Sequence, residues 1–445
     1  MDTPDRISPK TKITRNVIAL GVVSLFTDAA TEMIYPLVPI FVSLLGSTAV
    51  ILGVIEGVAE TTASMLKLAS GILSDKIGKR KLLVVIGYGT STLIRPFTGA
   101  VSAAWQIVIV RMIDRIGKGI RTAPRDALIA SSIDDRIRGK AYGFHRAMDH
   151  AGAVIGPFLA LSALIILVLV FNMHETLSIL RWTFFLAIVP GLCAFFALIF
   201  FVQEKVDPVA PTKKYRFSLK GFDNNFIIYL GVVLLFTLGN SSDAFLLFRI
   251  QDALHNNESL YSIVYATPII GDMVRRFGDL HAQKKLIDIM LLPLVWAFFH
   301  IIKVIFSTHL GALSDKIGRK IVINIGWGIY AVVYLAFAFL DKLPDVFQLI
   351  GTFVLFAIYA LYYAFSEGAE KAFVADVVKP EMRGSAFGLF NFAIGLAALP
   401  ASIVFGLLYK VYGAMVAFGT GAAIACISML LFIIFVKEQS PKLDG

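Results

Sequence analysis

Apolar runs of about 20 residues recur along the whole chain, separated by short polar clusters. A helix of about 20 apolar residues is long enough to cross a hydrocarbon layer. On this basis the pattern predicts twelve spans, at 17–45, 50–73, 82–103, 104–129, 140–171, 180–202, 225–250, 286–310, 321–340, 346–376, 384–409 and 413–436. The polar, proline-containing stretch at 203–224 divides them into two sets of six. The predicted organisation is a tail at 1–16, a six-helix bundle at 17–202, the linker, a second bundle at 225–436 and a tail at 437–445. The expected fold class is an all-α polytopic membrane protein.

Composition agrees: 57% of residues are apolar and 16% charged, where soluble chains carry roughly a quarter charged. A chain of 445 residues has too little volume to bury so many apolar segments in a water-soluble core. The first apolar run is too long for a signal h-region and lacks a small-residue cleavage site, so it reads as a retained span. Cys193 and Cys426 lie inside apolar runs, which argues against a disulfide framework.

The net charge of +10 sits mostly in loops. With six spans on each side, the linker and both tails share one face. Lys76, Lys79, Arg80, Lys81, Arg136, Arg138, Lys140, Lys316, Arg319 and Lys320 fall on that face too. Basic residues near span ends mark the cytoplasmic side, so both termini are expected in the cytoplasm and nucleic acid is not an expected partner. Residues 251–285 break the pattern, carrying Arg275, Arg276, Lys284 and Lys285 on the opposite face. They read as an extracytoplasmic insertion with a small amphipathic helix.

The sequence also repeats. "GILSDKIGKRK" at 71–81 recurs as "GALSDKIGRKI" at 311–321, and "ALIASSIDDRIRGKAYGF" at 127–144 is echoed at 372–389. Two matches in the same order, displaced by 240 and 245 residues, imply duplication of a six-span unit. Parallel repeats of this kind are a transporter plan, with the binding site between the halves near the bilayer midplane.

Charge inside a span is costly, so its position is informative. The third, sixth, ninth and twelfth spans are nearly free of it. The first carries Asp28 and Glu32, the second Glu56 and Glu60, and the fourth Arg111, Arg115, Lys118, Arg121 and Arg125. The fifth has His145, Arg146, Asp149 and His150; Asn240 and Asp243 fall in the seventh, Lys303 in the eighth and Glu367 in the tenth. This predicts inner helices around a wet cavity, with four lipid-facing buttresses. Asp28 and Glu32 share one helix face, as do Glu56 and Glu60. Like charges one turn apart suit a carboxylate that takes up and releases a proton. The same acids also have the sign to neutralise the cations of the fourth and fifth spans. In the fourth span, Arg111, Arg115, Lys118 and Arg125 fall on one broad face, with Arg121 at its edge. Arg121 and Arg125 are expected near enough to water to need no buried partner, and Pro124 to bend the helix as it leaves the bilayer.

The repeated loop resembles the signature G-x-x-x-D-x-x-G-R-[RK] of the major facilitator superfamily, and both copies stand where that family places them. The resemblance covers essentially the whole chain. It implies the family fold of two pseudo-symmetric six-helix bundles, and a conformational latch built from Gly71, Asp75, Gly78 and Arg80 and from Gly311, Asp315, Gly318 and Arg319, with Arg138 and Arg383 as partners. "RIGKG" resembles the fourth-span R-x-x-[QK]-G pattern, which links Arg115 to proton coupling; Arg121 stands where the pattern has a small residue. "GAVIGP" resembles the G-x-x-x-G-P of antiporters, which makes Gly152, Gly156 and Pro157 helix-packing positions. Longer strings, including "LGNSSDAFLLFR", resemble a bacterial permease subgroup, which implies the bacterial inner membrane.

The expectation is therefore a monomeric secondary transporter rather than an enzyme, exchanging protons for a small organic molecule in the direction of export. Asp28, Glu32, Glu56, Glu60 and Arg115 are the proton-coupling candidates. Arg111, Lys118, Arg121, Arg125, His145, Arg146, Asp149, Asn240, Asp243 and Glu367 are the substrate candidates. The alternative is a proton-coupled carrier of an anionic solute such as a phosphate ester, carboxylate or siderophore, because Arg binds such groups bidentately. A metal-ion carrier using His145, Asp149 and His150 is the weaker third reading. No G-x-x-x-x-G-K-[ST] motif provides for ATP drive, and the reading calls for no cofactor or resident metal.

Overall fold

The computed structural model describes residues 13–77, 79–133, 138–204, 221–255, 257–378 and 382–438, and every regular element among them is helical. The first span is α1 (Arg15–Ile34) followed by α2 (Val38–Leu44), joined by a 3-10 turn at Tyr35–Leu37. Pro36 and Pro39 withhold backbone donors there, which ends the regular ladder. α3 (Ala49–Ile77) is the second span, α4 (Arg80–Ile94) the third, α5 (Ala104–Ser131) the fourth and α6 (Arg138–Leu169) the fifth. α7 (Thr176–Leu186) and α8 (Ile188–Phe201) make the sixth. In the second half α9 (Asn224–Gly239) and α10 (Ala244–Leu254) make the seventh span. Two short helices follow, α11 (Glu258–Ala266) and α12 (Pro268–Arg275). α13 (Leu280–Ile317), α14 (Arg319–Ala338) and α15 (Asp345–Asp376) are the eighth to tenth spans. α16 (Arg383–Phe435) holds the last two, and reverses at Gly413, whose φ of 82° favours a residue without a Cβ.

Nine helical stretches among the described residues are long and apolar enough to cross a membrane. The third and fourth spans are not among them, for different reasons. α4 stops after 15 residues where Arg95–Pro96 begins a 3-10 segment, and α5 is too rich in charge. α5 also runs on through Pro124 to Ser131. The stretch 251–285 contains the end of α10, the two short helices and the start of α13. Most of the expected linker, 205–220, lies outside the described residues.

The two halves repeat not only in sequence but in how they are fastened. Asn16 bonds through its side chain to both backbone groups of Gln203, at 2.8 and 3.2 Å. Asn225 does the same to Lys437, at 2.7 and 2.8 Å. Glu204 accepts the backbone N–H groups of Arg80 and Lys81 at 3.1 and 2.7 Å. Glu438 accepts those of Arg319 and Lys320 at 2.5 and 3.2 Å. Each glutamate thus caps the start of a helix, where the dipole favours an anion.

These fastenings lie on the face that carries the termini. One apolar core runs through the second half and joins it to the first half on the opposite, distal side, from Leu37, Phe41 and Leu52 to Phe245, Trp296 and Phe405. A second core nearer the terminal face, around Leu20, Tyr88 and Leu198, contains residues of the first half alone. The halves are therefore sealed on the distal side, and among the described residues no apolar core joins them near the termini.

Candidate functional site

A cavity of about 540 Å³ lies between the halves. From the first half it is lined by Asp28, Glu32, Glu56, Glu60, Arg115 and Lys118, and from the second by Asn240, Asp243, His300, Lys303 and Glu367. All five residues expected to serve proton coupling line it.

Their surroundings differ. Glu32 accepts the indole N–H of Trp296 at 2.7 Å, and His300 Nε2 stands 4.0 Å away. Glu56 pairs with Arg111 at 2.8 Å and accepts the Ser242 hydroxyl at 3.2 Å. Glu60 has only the Ser64 hydroxyl, at 3.5 Å. Among the described residues, Asp28 is the one cavity carboxylate with neither a hydrogen-bond nor an ion-pair partner. It is within electrostatic reach of Asp149, Lys118, Glu32 and Arg121. Arg115 and Lys118 also reach no carboxylate within 4.0 Å, and the Arg115 Nε is buried without a partner.

The fourth span departs from the expected single cationic face. Arg111 is buried behind the cavity against Glu56, with its guanidinium 5.5 Å from the Tyr35 ring. Arg121 was expected near water; it is only 4% exposed. It bonds the Ser91 hydroxyl at 2.6 Å and stacks over Tyr88 at 4.4 Å. The third span, read as a lipid-facing buttress, thus supplies its partners, and a buried guanidinium needs them. Arg95 of that span is likewise buried, in a 2.8 Å ion pair with Asp114. Arg125 does not line the cavity; it turns to its neighbour Asp126, 2.9 Å away.

His145 and Asp149 also lie off the cavity. They contact each other at 3.5 Å, and Asp149 accepts the Ser24 hydroxyl of the first span. Arg146 crosses between the halves, 3.9 Å from Asp149 and 4.0 Å from Glu367. No group of three or more His, Cys, Asp or Glu among the described residues has the arrangement of a metal site. Gly152 and Gly156 press the fifth span onto the first. A Cβ at either would meet the carbonyl oxygen of Leu25 or Ala29 at 2.2 or 2.6 Å. Pro157 lies inside the same helix. Of the latch residues, Gly71, Arg80, Gly318 and Arg319 are described; Asp75, Gly78, Arg138, Gly311, Asp315 and Arg383 fall outside the described residues or side chains.

The second half contributes a feature that hydropathy hid. The seventh span is unwound at Asn240–Asp243, and all four residues face the cavity. Tyrosine hydroxyls hold the break open. Tyr359 and Tyr363 donate to Asp243 at 2.6 and 2.9 Å, Tyr330 donates to the Gly239 carbonyl at 2.9 Å, and Tyr334 pairs with the Ser241 hydroxyl at 2.9 Å. Asn240 donates to Tyr362 at 3.1 Å. Unsatisfied backbone in a membrane interior is expensive, and these phenols supply what the helix ladder no longer does. Lys303 pairs with Glu367 at 3.1 Å and lies 4.3 Å over the Tyr363 ring.

A family model described as Major Facilitator Superfamily matches residues 20–299 and 266–445. The chain belongs to that superfamily, and so is a multi-pass membrane transporter with its fold. It is 33% identical over 422 residues to an uncharacterized MFS-type transporter of Methanocaldococcus jannaschii, covering 95% of each chain. A multi-drug resistance efflux pump of Streptococcus pneumoniae is 25% identical over 203 residues, which is 44% of this chain and 48% of the pump. Among solved structures, a nucleoside transporter superposes with a TM-score of 0.67 at 14% identity, covering 96% of this chain and 100% of that one. A D-xylose–proton symporter gives 0.67 at 16%, with 95% and 98% covered. At these identities the structural likeness concerns the fold.

Proposed function

We propose that this protein is a proton-coupled secondary transporter that exports a small organic molecule in exchange for protons by alternating access. Asp28 carries this reading. It is a carboxylate without a partner, facing the cavity one turn from Glu32, and its protonation changes the charge of the cavity without breaking a bond. Arg115 and Lys118 are placed to sense that change. The volume suits a small organic solute, and the partial similarity to a multi-drug efflux pump supports export. The basic loops of the terminal face support a cytoplasmic orientation for both termini, in the inner membrane of a bacterium. The protein then faces inward here. Both walls of the cavity come from one chain, so a monomer suffices.

The test is pH-driven flux in proteoliposomes with a panel of organic cations and anions. Asp28→Asn is expected to abolish accumulation against a gradient while leaving solute exchange and binding. Gradient-driven flux equal to wild type removes Asp28 from the coupling role.

The unpaired Arg115 and Lys118 favour a second reading, transport of an anionic solute. In that case Lys118→Gln weakens binding of the anion by about tenfold, the loss of one charge-assisted contact, while Arg125→Ala leaves it unchanged. Unaltered affinity in Lys118→Gln excludes this reading.

A further inference from the structure

The acids of the first span are not equivalent, although the sequence pairs them. Asp28 stands free, whereas Glu32 is bonded across the boundary between the halves, to Trp296 of α13. The contact lies where the distal seal begins. Tyr35, one turn beyond Glu32, packs its ring 5.2 Å from the Trp296 ring and holds the Ser242 hydroxyl at 3.3 Å. Trp296 in turn stacks on Phe299 at 4.9 Å. Tyr35, Trp296 and Phe299 are all buried and line the cavity, so together they close its distal end. Any state that opens to the distal face has to separate these rings and break the Glu32 contact.

The chemistry of that contact is one-sided. An indole N–H donates and never accepts. Bonded to an ionised carboxylate it is about twice as strong as the same bond to a neutral group. On this ground we propose that Glu32 is the carboxylate of a proton-released gate. Ionised, it ties the two halves across the distal side through Trp296; protonated, it lets them part. The proposal rests on the proton-coupled reading, in which the carrier that holds neither proton nor solute must stay closed on the distal side, and either a proton or the solute releases the contact. Asp28 and Glu32 sit one turn apart, so a proton taken by either bears on the other.

The groups facing Glu32 are compatible with this role. From α5, Arg111, Arg115 and Lys118 act on it electrostatically. Of these Arg111 is committed to Glu56. From α13, His300 stands 4.0 Å away, buried, with both ring nitrogens free of hydrogen bonds. None of them takes over the bond that Trp296 makes.

The experiment measures the distal distance between the halves directly. Spin labels are placed at Ser102→Cys and Lys342→Cys, both exposed on the distal face, one in each half, after Cys193→Ser and Cys426→Ser. The full-length protein is reconstituted in lipid nanodiscs, and the distance distribution is recorded by pulsed electron resonance from about pH 8 to about pH 5.5, spanning carboxylate and imidazole titration. Wild type is expected to be short at high pH and to gain a long component on acidification. Trp296→Phe keeps the ring and removes the N–H, so at high pH its long component rises by about fivefold, the worth of one hydrogen bond. Glu32→Gln gives a long component that no longer depends on pH. A pH-independent wild type, a Trp296→Phe distribution equal to wild type, or a Glu32→Gln protein that stays short each overturns the proposal. Thermal melting checks that both variants are folded, and Ser242→Ala gives a third opening of the same seal. A pH-dependent gate in a protein without proton-driven flux sinks the coupling reading alone. Proton-driven flux with no pH-dependent gate sinks the gate alone.

Discussion

The two walls of the cavity descend from one repeat and now hold their charges differently. At the displacement of 245 residues, Lys118 of the cavity lining corresponds to Tyr363, and behind the lining Asp114 corresponds to Tyr359. The wall from the first half is ionic, with carboxylates and cations from three spans, two of the cations unpaired. The wall from the second half carries charges too, but they are tied down: Lys303 pairs with Glu367, and Asp243 is held by tyrosines that brace an unwound helix. The fastenings on the terminal face have stayed alike over the same duplication: Asn16 matches Asn225 in role, and Glu204 matches Glu438. The difference separates scaffold from chemistry. What both halves kept serves rigidity, and what they no longer share surrounds the cavity.

That comparison can be attacked from its strongest side first. Arg95→Ala leaves Asp114 buried and unpaired, and is expected to destabilise the first half by about 3–5 kcal/mol, read as loss of thermal stability in detergent. Stability within 1 kcal/mol, on the order of a surface pair, would show that the ionic wall is solvated after all. Gly156→Leu comes next, because its side chain meets the first span's backbone; a loss of about 1–3 kcal/mol is expected from overpacking. Exchanging the walls, with Lys118→Tyr and Tyr363→Lys together, should leave the melting temperature nearly unchanged and abolish solute binding. Retained binding would mean that the asymmetry is incidental. Tyr359→Phe removes one donor to Asp243 and is expected to cost about 0.6 kcal/mol, the average for a hydrogen bond inside a membrane protein. Smallest are Glu204→Gln and Glu438→Gln, each expected to lower stability by about 0.5–1 kcal/mol through a weakened helix-start contact. Equal effects support the shared scaffold, and a clearly unequal pair breaks it.

Much of the fold was legible because the bilayer demands long apolar runs, and the duplicated loop announced the two halves. The charged wall was legible for the same reason: Asp28, Glu56 or Arg115 stand out against apolar neighbours. The aromatic donors of the second half were not. Trp296, Tyr359 and Tyr363 look like ordinary residues of an apolar span, and nothing in their spacing says that their N–H and O–H groups are spent on Glu32 and Asp243. The short polar string "NSSD" was the available clue to the unwound seventh span. Arg121 misled because helical periodicity gives a direction but not a neighbour. Its partners Ser91 and Tyr88 belong to a span that carries almost no charge. Glu204 and Glu438 escaped notice because a single acid at the end of a span looks like any solvated charge.

The asparagine fastenings also bear on how the chain is made. Asn16 is among the first described residues of its half to emerge during synthesis, and its partner Gln203 comes after all six spans of that half. The first half therefore has everything needed to close on itself while the second is still being translated. The second half waits for Lys437. A chain stopped before that residue would leave the first half fastened and the second open, exposing its unfinished bundle to quality-control proteases.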